Sequence, residues 1–284
     1  MSNVFACPTV AGAPSLPDFV IAFQPIVDVC ARRVVAYEAL TRTMDGACYP
    51  KLIDGMDEKT LRRFDREIAI EAIRRAVELG LKDLDVSLCL NLRPDLHPEA
   101  LDAEYLRLAA GTCGLSPSEI LLEMTEEHKL AVPELHSLLE RNQAAGFYTG
   151  VDDFGAGYSG LAMLVECRPE ILKLDRSLVR GIDSSDRRQK IVAAFAQIAE
   201  SMKTSLIAEG VETVAEYEKL RELGIRFMQG YLFASPSVEE LPWQAVWGVM
   251  PPTEAKRRAG RGAIAGWLAA AADFDCGSQA GVPA

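Results

Sequence analysis

Histidine is scarce in this chain: His97, His128 and His136 are the only three in 284 residues. None ends a strand-like apolar run, which disfavours an imidazole-based zinc site and removes a Ser-His-Asp triad. Each reads as an exposed loop or helix residue. The cysteines (Cys7, Cys30, Cys48, Cys89, Cys113, Cys167 and Cys276) are odd in number, scattered and without any C-x-x-C spacing. They read as reduced, mostly buried small residues of a cytoplasmic protein, not as a disulfide framework. Basic residues are in the minority, 30 against 41 acidic, for a net charge of −11. That balance argues against duplex nucleic acid as the main partner, because phosphate contacts demand clustered Lys and Arg. A small anionic ligand remains admissible if cations meet it. The first 18 residues lack the basic start and apolar stretch of a signal peptide. No segment reaches the roughly 18 consecutive apolar residues of a membrane span. No internal repeat or low-complexity block is present.

What is there is ordinary globular material, 49% apolar and 25% charged, enough for one large core. Residues 1–17 carry Pro, Gly and Ala without periodicity and read as a flexible lead-in; 18–250 form a barrel-sized domain; 251–284 read as an appended helical tail with a frayed terminus. Strand-like runs fall at 20–27, 34–40, 86–91, 120–124, 147–152, 171–175, 206–209 and 227–231. Amphipathic helical patterns lie between most of them, at 58–79, 98–110, 132–145, 159–166, 183–201 and 214–223, with Gly80, Gly146 and Gly224 as stops. Eight strands alternating with helices predict an α/β fold of the TIM (β/α)8 type. The first two strands are separated by about six residues, too few for a helical crossover, so they form an antiparallel hairpin and the barrel is a modified one. A short helix is expected at 238–249 and an Ala-rich one near 263–272. The basic stretches at 61–67 and 256–258 read as solvated helix faces. Trp243, Trp247 and Trp267 read as packing anchors.

The organising stretch is 151–160, Val-Asp-Asp-Phe-Gly-Ala-Gly-Tyr-Ser-Gly, where an apolar strand stops on two carboxylates. Successive strand residues diverge, so Asp152 and Asp153 reach one site only if the chain bends, which Gly155 and Gly157 permit. Alone, the pair reads either as a divalent-cation site or as an N-cap plus a surface acid. Strand parity decides. In 86–91, Val86, Leu88 and Leu90 face the helices, while Ser87, Cys89 and Asn91 face the barrel interior. The same alternation sends Glu123 inward from 120–124, and Lys173 and Asp175 inward from 171–175.

The last inward residues of seven strands are then Glu38, Asn91, Glu123, Asp152, Asp175, Glu209 and Gln229, with Lys173 one layer deeper. Barrel enzymes place their chemistry at the C-terminal ends of the strands. Glu38, Glu123, Asp152, Asp153 and Glu209, with Glu126 and Glu212 nearby, outnumber Lys173 and Arg42 by about five charges, a surplus that cannot stay ionised in a partly desolvated mouth without cations. All-oxygen donors suit hard ions such as Mg²⁺ or Mn²⁺. There are acids enough for two of them, with Asp152 best placed to bridge.

These residues make the chain similar to the EAL-domain cyclic-di-GMP phosphodiesterases. The naming motif stands as Glu38-Ala39-Leu40-Thr41-Arg42, preceded by Gln24-Pro25-Ile26-Val27. Leu90-Asn91-Leu92, Glu123-Met124-Thr125-Glu126, Asp152-Asp153-Phe154-Gly155, Lys173-Leu174-Asp175, Glu209-Gly210-Val211-Glu212 and Gln229-Gly230-Tyr231 follow in the family's order. The resemblance covers about 18–236 and implies a two-metal hydrolysis of cyclic di-GMP to linear pGpG. By it, Glu38, Asn91, Glu123 and Asp152 hold a first ion, and Asp152, Asp153 and Glu209 a second. Lys173 orients the attacking water, and Glu126 keeps the loop after the Asp-Asp strand in its metal-competent shape. Gln24, Leu40, Arg42, Gln229 and Tyr231 contact substrate, with Arg42 on a phosphate; Asp175 and Glu212 join that set. The stretches 44–59 and 93–97 depart from the family pattern without touching a proposed ligand.

Two other readings compete. A receptor that binds the nucleotide without cleaving it would be expected to lack metal ligands, and none is lacking here. An unrelated Mg²⁺ barrel enzyme of enolate chemistry would need a second base besides Lys173, and none is evident. With no sensor segment and no cyclase motif in the sequence, regulation is expected from a protein partner, from self-association or from the tail. The family resemblance implies a homodimer to which 183–201 contribute.

Overall fold

The short 28–33 gap does what its length demands. In the computed structural model, which describes residues 16–93, 101–125, 131–156, 160–243 and 264, strands β1 (Phe19–Asp28) and β2 (Arg33–Thr43) form an antiparallel hairpin. Its register sets Gln24 opposite Glu38. From β2 onward the strands β3 (Ser87–Leu92), β4 (Ile120–Thr125), β5 (Tyr148–Phe154), β6 (Ile171–Leu174), β7 (Ser205–Ala208) and β8 (Phe227–Met228) run parallel in chain order. β8 then pairs antiparallel with β1, which closes the barrel.

Crossovers are helical, as parallel pairing requires: α1 (Pro50–Ile53) and α2 (Glu58–Glu78), then α3 (Leu101–Cys113), α4 (Val132–Ala144), α5 (Gly160–Glu166), α6 (Arg176–Val179), α7 (Asp186–Met202) and α8 (Val214–Glu222). α2 starts where Asp57 accepts the amide of Thr60 and buries Phe64, Ile70, Ile73 and Ala76 at helical spacing. Gly80, Gly146 and Gly224, expected as helix stops, all take positive φ.

Side-chain alternation sorts the strands into two cores. Leu88, Leu90, Ile120, Leu122 and Met124 pack with the helices in the outer shell, while Ile26, Ala36, Cys89, Leu121, Ile171, Ile207 and Phe227 fill the barrel's lower interior. Ile264, the only tail residue described, is helical, fully buried and packed with that inner group.

Three expectations need correcting. Residues 238–243 are bent and extended, not helical, because Leu241 precedes Pro242, which disfavours α geometry at the residue before it. Ser237 bridges to Phe23 instead, and the Tyr37 hydroxyl donates to the Leu241 carbonyl at 3.4 Å; 244–249 lie outside the described residues, as do Trp247 and Trp267. Trp243 is exposed and anchors little. Cys30, in the β1–β2 turn, is disulfide-bonded, whereas Cys48, Cys89, Cys113 and Cys167 are free, only Cys89 and Cys167 of them buried. Among the described residues no helix is long and apolar enough to cross a membrane.

The β1–β8 seam is held by charge as well as by ladder bonds. Asp28, fully buried, takes Nε and Nη2 of Arg226 at 3.0 and 2.8 Å and accepts the amides of Cys30 and Ala31. Removing one partner of a buried pair strands the other. Asp28→Ala is therefore expected to lower unfolding stability by about 3 kcal/mol in urea titration; a loss under about 1 kcal/mol would show that the seam does not depend on this pair.

Candidate functional site

The bend that must bring Asp152 and Asp153 to one side is a β-bulge. β5 pairs Val151 with Leu172 and then Phe154 with Leu174, so three steps along β5 match two along β6. Asp153 itself takes φ 54° and Gly155 φ 96°. The turn expected at the glycines thus begins on the aspartate, and Gly157 lies outside the described residues. Asp152 holds the bulge by accepting the Asp153 amide at 2.9 Å. A left-handed conformation on a non-glycine residue is strained.

Around this bulge the predicted inward residues converge. The Lys173 ammonium, fully buried, lies 3.1 Å from Glu38, 3.1 Å from Glu123 and 3.5 Å from Asp152, and also pairs with Glu209. One oxygen each from Glu38, Glu123 and Asp152 lies within 4.8 Å of the others, and Asp152, Asp153 and Glu209 form a second such group. Asp152 belongs to both. Asn91 donates its amide to Glu38 at 2.8 Å, and its side-chain carbonyl oxygen is of a type that can ligate a hard cation. On the other side Gln229 donates to Glu38 at 2.8 Å and to Gln24 at 3.2 Å, and Gln24 donates to the Ala234 carbonyl. Glu38 is thereby oriented from three directions.

The electrostatics show what one ammonium can and cannot do. For Glu38, burial pushes upward, but Lys173 and the donors Asn91 and Gln229 together hold the carboxyl below its usual range. Glu123 lacks that help: burial lifts it to about 8, Lys173 offsets only part, and Glu38 and Asp152 add to the rise. Its Oε1 is buried with no hydrogen-bond partner. Burial, eased by Lys173, raises Asp152, and burial with the Asp152 charge raises Glu209 well above its usual value. Burial depresses Lys173, yet the surrounding carboxylates outweigh it and keep the ammonium firmly protonated.

Above the acids opens a cavity of about 260 Å³. Gln24, Leu40, Arg42 and Asp175 line it, together with Glu212, Gln229 and Tyr231, so every predicted substrate-facing residue borders one space. Asp175 does so from a helix cap, accepting the Ser177 amide at the start of α6. A larger cleft of about 360 Å³, between α7 and the segment before β8, is lined by none of the grouped acids. Glu126, His97 and His128 lie outside the described residues; His136 is half-buried on α4 near Glu140.

Three residues of this region escaped the sequence reading. Arg176 lines the cavity and pairs with Glu212 at 2.6 Å, so Glu212 is not part of the charge surplus. Glu216, buried at the start of α8, accepts the amides of Gly181, Glu212 and Thr213 and so pins the turn after β7. Gly230 approaches Val211 so closely that a Cβ would lie 2.1 Å from its carbonyl oxygen. Only the Thr213-x-x-Glu216 spacing, a capping box, was a usable signal.

Comparison with known proteins agrees with this geometry. The EAL domain family model matches residues 10–236. BluF of Escherichia coli, a blue light- and temperature-regulated antirepressor, is 29% identical over 235 residues, 81% of this chain and 57% of that protein. NbdA of Pseudomonas aeruginosa, a cyclic di-GMP phosphodiesterase, is 32% identical over 75% of this chain and 28% of its own length. The chain thus spans little more than half, or less, of these curated relatives. A standalone EAL protein from Vibrio cholerae O395, solved with cyclic di-GMP bound, is 31% identical with a TM-score of 0.75, covering 86% of this chain and 98% of that one. BlrP1 of Klebsiella pneumoniae, solved with manganese and cyclic di-GMP, is 33% identical with a TM-score of 0.72, covering 80% and 59%. With its closed barrel, antiparallel first strand and motifs matched in order, the chain belongs to the EAL domain family.

Proposed function

We propose that this chain hydrolyses cyclic di-GMP to linear pGpG with two divalent cations, Mg²⁺ or Mn²⁺. The observation that carries the reading is the pair of carboxylate groups sharing Asp152 over one buried lysine. The donor set fits hard cations: all oxygen, strongly acidic, with a buried Glu123 oxygen left without a partner and carboxyls pushed upward by burial and by one another's charge. Glu38, Glu123, Asp152 and the Asn91 carbonyl would hold one ion, and Asp152, Asp153 and Glu209 the other. Bound there, such ions supply Lewis-acid activation of water and of the phosphodiester.

The chain's own residues do the rest. Lys173, the buried cation among the acids, orients the attacking water. Arg42 meets a phosphate as a planar fork. Gln229 and Gln24 keep Glu38 in place, and the exposed Tyr231 ring, with Leu40, flanks the nucleotide. Water adds to phosphorus, one P–O bond of the ring breaks, and the departing oxygen takes a proton. Glu126 is assigned to hold the loop after β5.

BluF is named for antirepression and not for hydrolysis, which keeps a second reading, a receptor that binds the nucleotide without cleaving it. One assay separates the two. Protein with cyclic di-GMP and either ion is expected to release pGpG, and Glu38→Ala to abolish release. Tight metal-independent binding with no product from either ion would establish the receptor instead.

A homodimer through α7 belongs to the same proposal; the helix fully buries only Val192 and Ala199 and leaves Phe195, Ala196 and Ile198 half-buried. Light scattering at micromolar concentration is expected to give twice the chain mass, and a monomer would refute it.

Glu123 makes a pH test possible. Its folded value near 8 exceeds the ordinary 4.5, so the folded state holds this proton more tightly than the unfolded state and loses stability as pH rises through that window. In metal-free protein the Tm of wild type is expected to fall relative to Glu123→Gln from pH 4.5 toward about 8. Saturating Mn²⁺ should reverse the trend. A difference that stays flat with pH would contradict the account.

A further inference from the structure

We propose that Arg176 is a positioning residue of this site, one that sets the Glu209–Glu212 turn by lying across it. The inference rests on the cation-binding reading above. Glu209 and Glu212 sit at the two ends of a turn whose second residue, Gly210, has φ 66°. Arg176 reaches over from the start of α6. A Cβ at Gly210 would lie 2.5 Å from its Cγ and 2.9 Å from its Cβ and Cδ, so the methylene stem rests directly on the glycine backbone. Its guanidinium then pairs with Glu212 at 2.6 Å.

The far side of the same turn is equally closed. Gly230 abuts Val211, whose amide donates to the Gln229 carbonyl at 3.0 Å, and Glu216 takes the amides of Glu212 and Thr213. The turn is therefore gripped by backbone from the end of β8, by the Glu216 carboxylate from α8, and by the Arg176 side chain from α6. Of the two side chains in that grip, Arg176 is the one that lines the cavity. It also follows Asp175 directly, so one helix start carries both a cavity-lining acid and the clamp on the neighbouring strand's acids.

The pair is half open to water, with side chains 50% and 36% exposed, and ion pairs of that kind add little to stability. Its effect is therefore on place. Glu209 contacts Lys173 and shares the second carboxylate group with Asp152 and Asp153. Residues that orient metal ligands from behind typically change metal affinity by about tenfold or more when removed.

The test is Mn²⁺ titration by calorimetry without nucleotide, on wild type, Arg176→Ala and Arg176→Lys, with turnover measured in parallel. Arg176→Ala is expected to weaken one of two Mn²⁺ events by about tenfold, with the Tm of the metal-free protein unchanged. Arg176→Lys, which keeps the stem and one charged donor, should restore most of the affinity. Wild-type affinity in Arg176→Ala would overturn the inference and leave the proposed function standing. Ion binding by wild type without turnover would remove the hydrolase reading and leave the inference to the titration, and no Mn²⁺ binding by wild type would remove both.

Discussion

A single buried ammonium faces four carboxylates, and most of what is unusual in the barrel follows from that imbalance. Lys173 lies within 3.5 Å of acids from β2, β4 and β5 and also pairs with Glu209, just beyond β7. Burial in low dielectric penalises each unpaired charge, so an arrangement of this kind is stable only if protons or cations make up the difference. The acids divide the shortfall unevenly. Glu38, with Asn91 and Gln229 as donors, stays easily ionised, while Glu123, with one oxygen unpartnered, does not. Beneath the acids lies a mostly apolar layer of Ile26, Cys89, Leu121, Ile171 and Ile207.

The barrel supplies convergence and the bulge supplies the second site. An unbroken β5 would send Asp152 and Asp153 to opposite faces. Inserting one residue relative to β6 lets Asp152 serve both carboxylate groups and Asp153 complete the outer one. The antiparallel β1 contributes differently: its register lays Gln24 beside Glu38, tying the first acid to the last strand through Gln229. Charge at the floor, Asp28 with Arg226, closes the same seam from the other end.

Much of this was legible before any coordinates. A period-2 pattern on a closed barrel has one meaning, inside or outside, so Asn91, Glu123 and Lys173 could be assigned from Leu88, Leu90 and Leu122 alone. The hairpin was legible from its gap length, and helix ends from Gly80, Gly146 and Gly224. What failed did so where the backbone leaves regular geometry. Parity says nothing about Arg176, because Asp175 has already left the strand to cap α6. The bulge starts the bend on Asp153, two residues ahead of Gly155, which also takes positive φ. Leu241-Pro242 keeps 238–243 out of the helix expected there, and the bonded state of Cys30 left no trace in cysteine spacing.

The central claim is that the acids around Lys173 are arranged for a pair of ions. Anomalous diffraction from crystals soaked in Mn²⁺ tests it most directly. The account predicts two peaks, one among Glu38, Asn91, Glu123 and Asp152, the other among Asp152, Asp153 and Glu209. No peak at saturating Mn²⁺, with Lys173 still contacting all four acids, would contradict it.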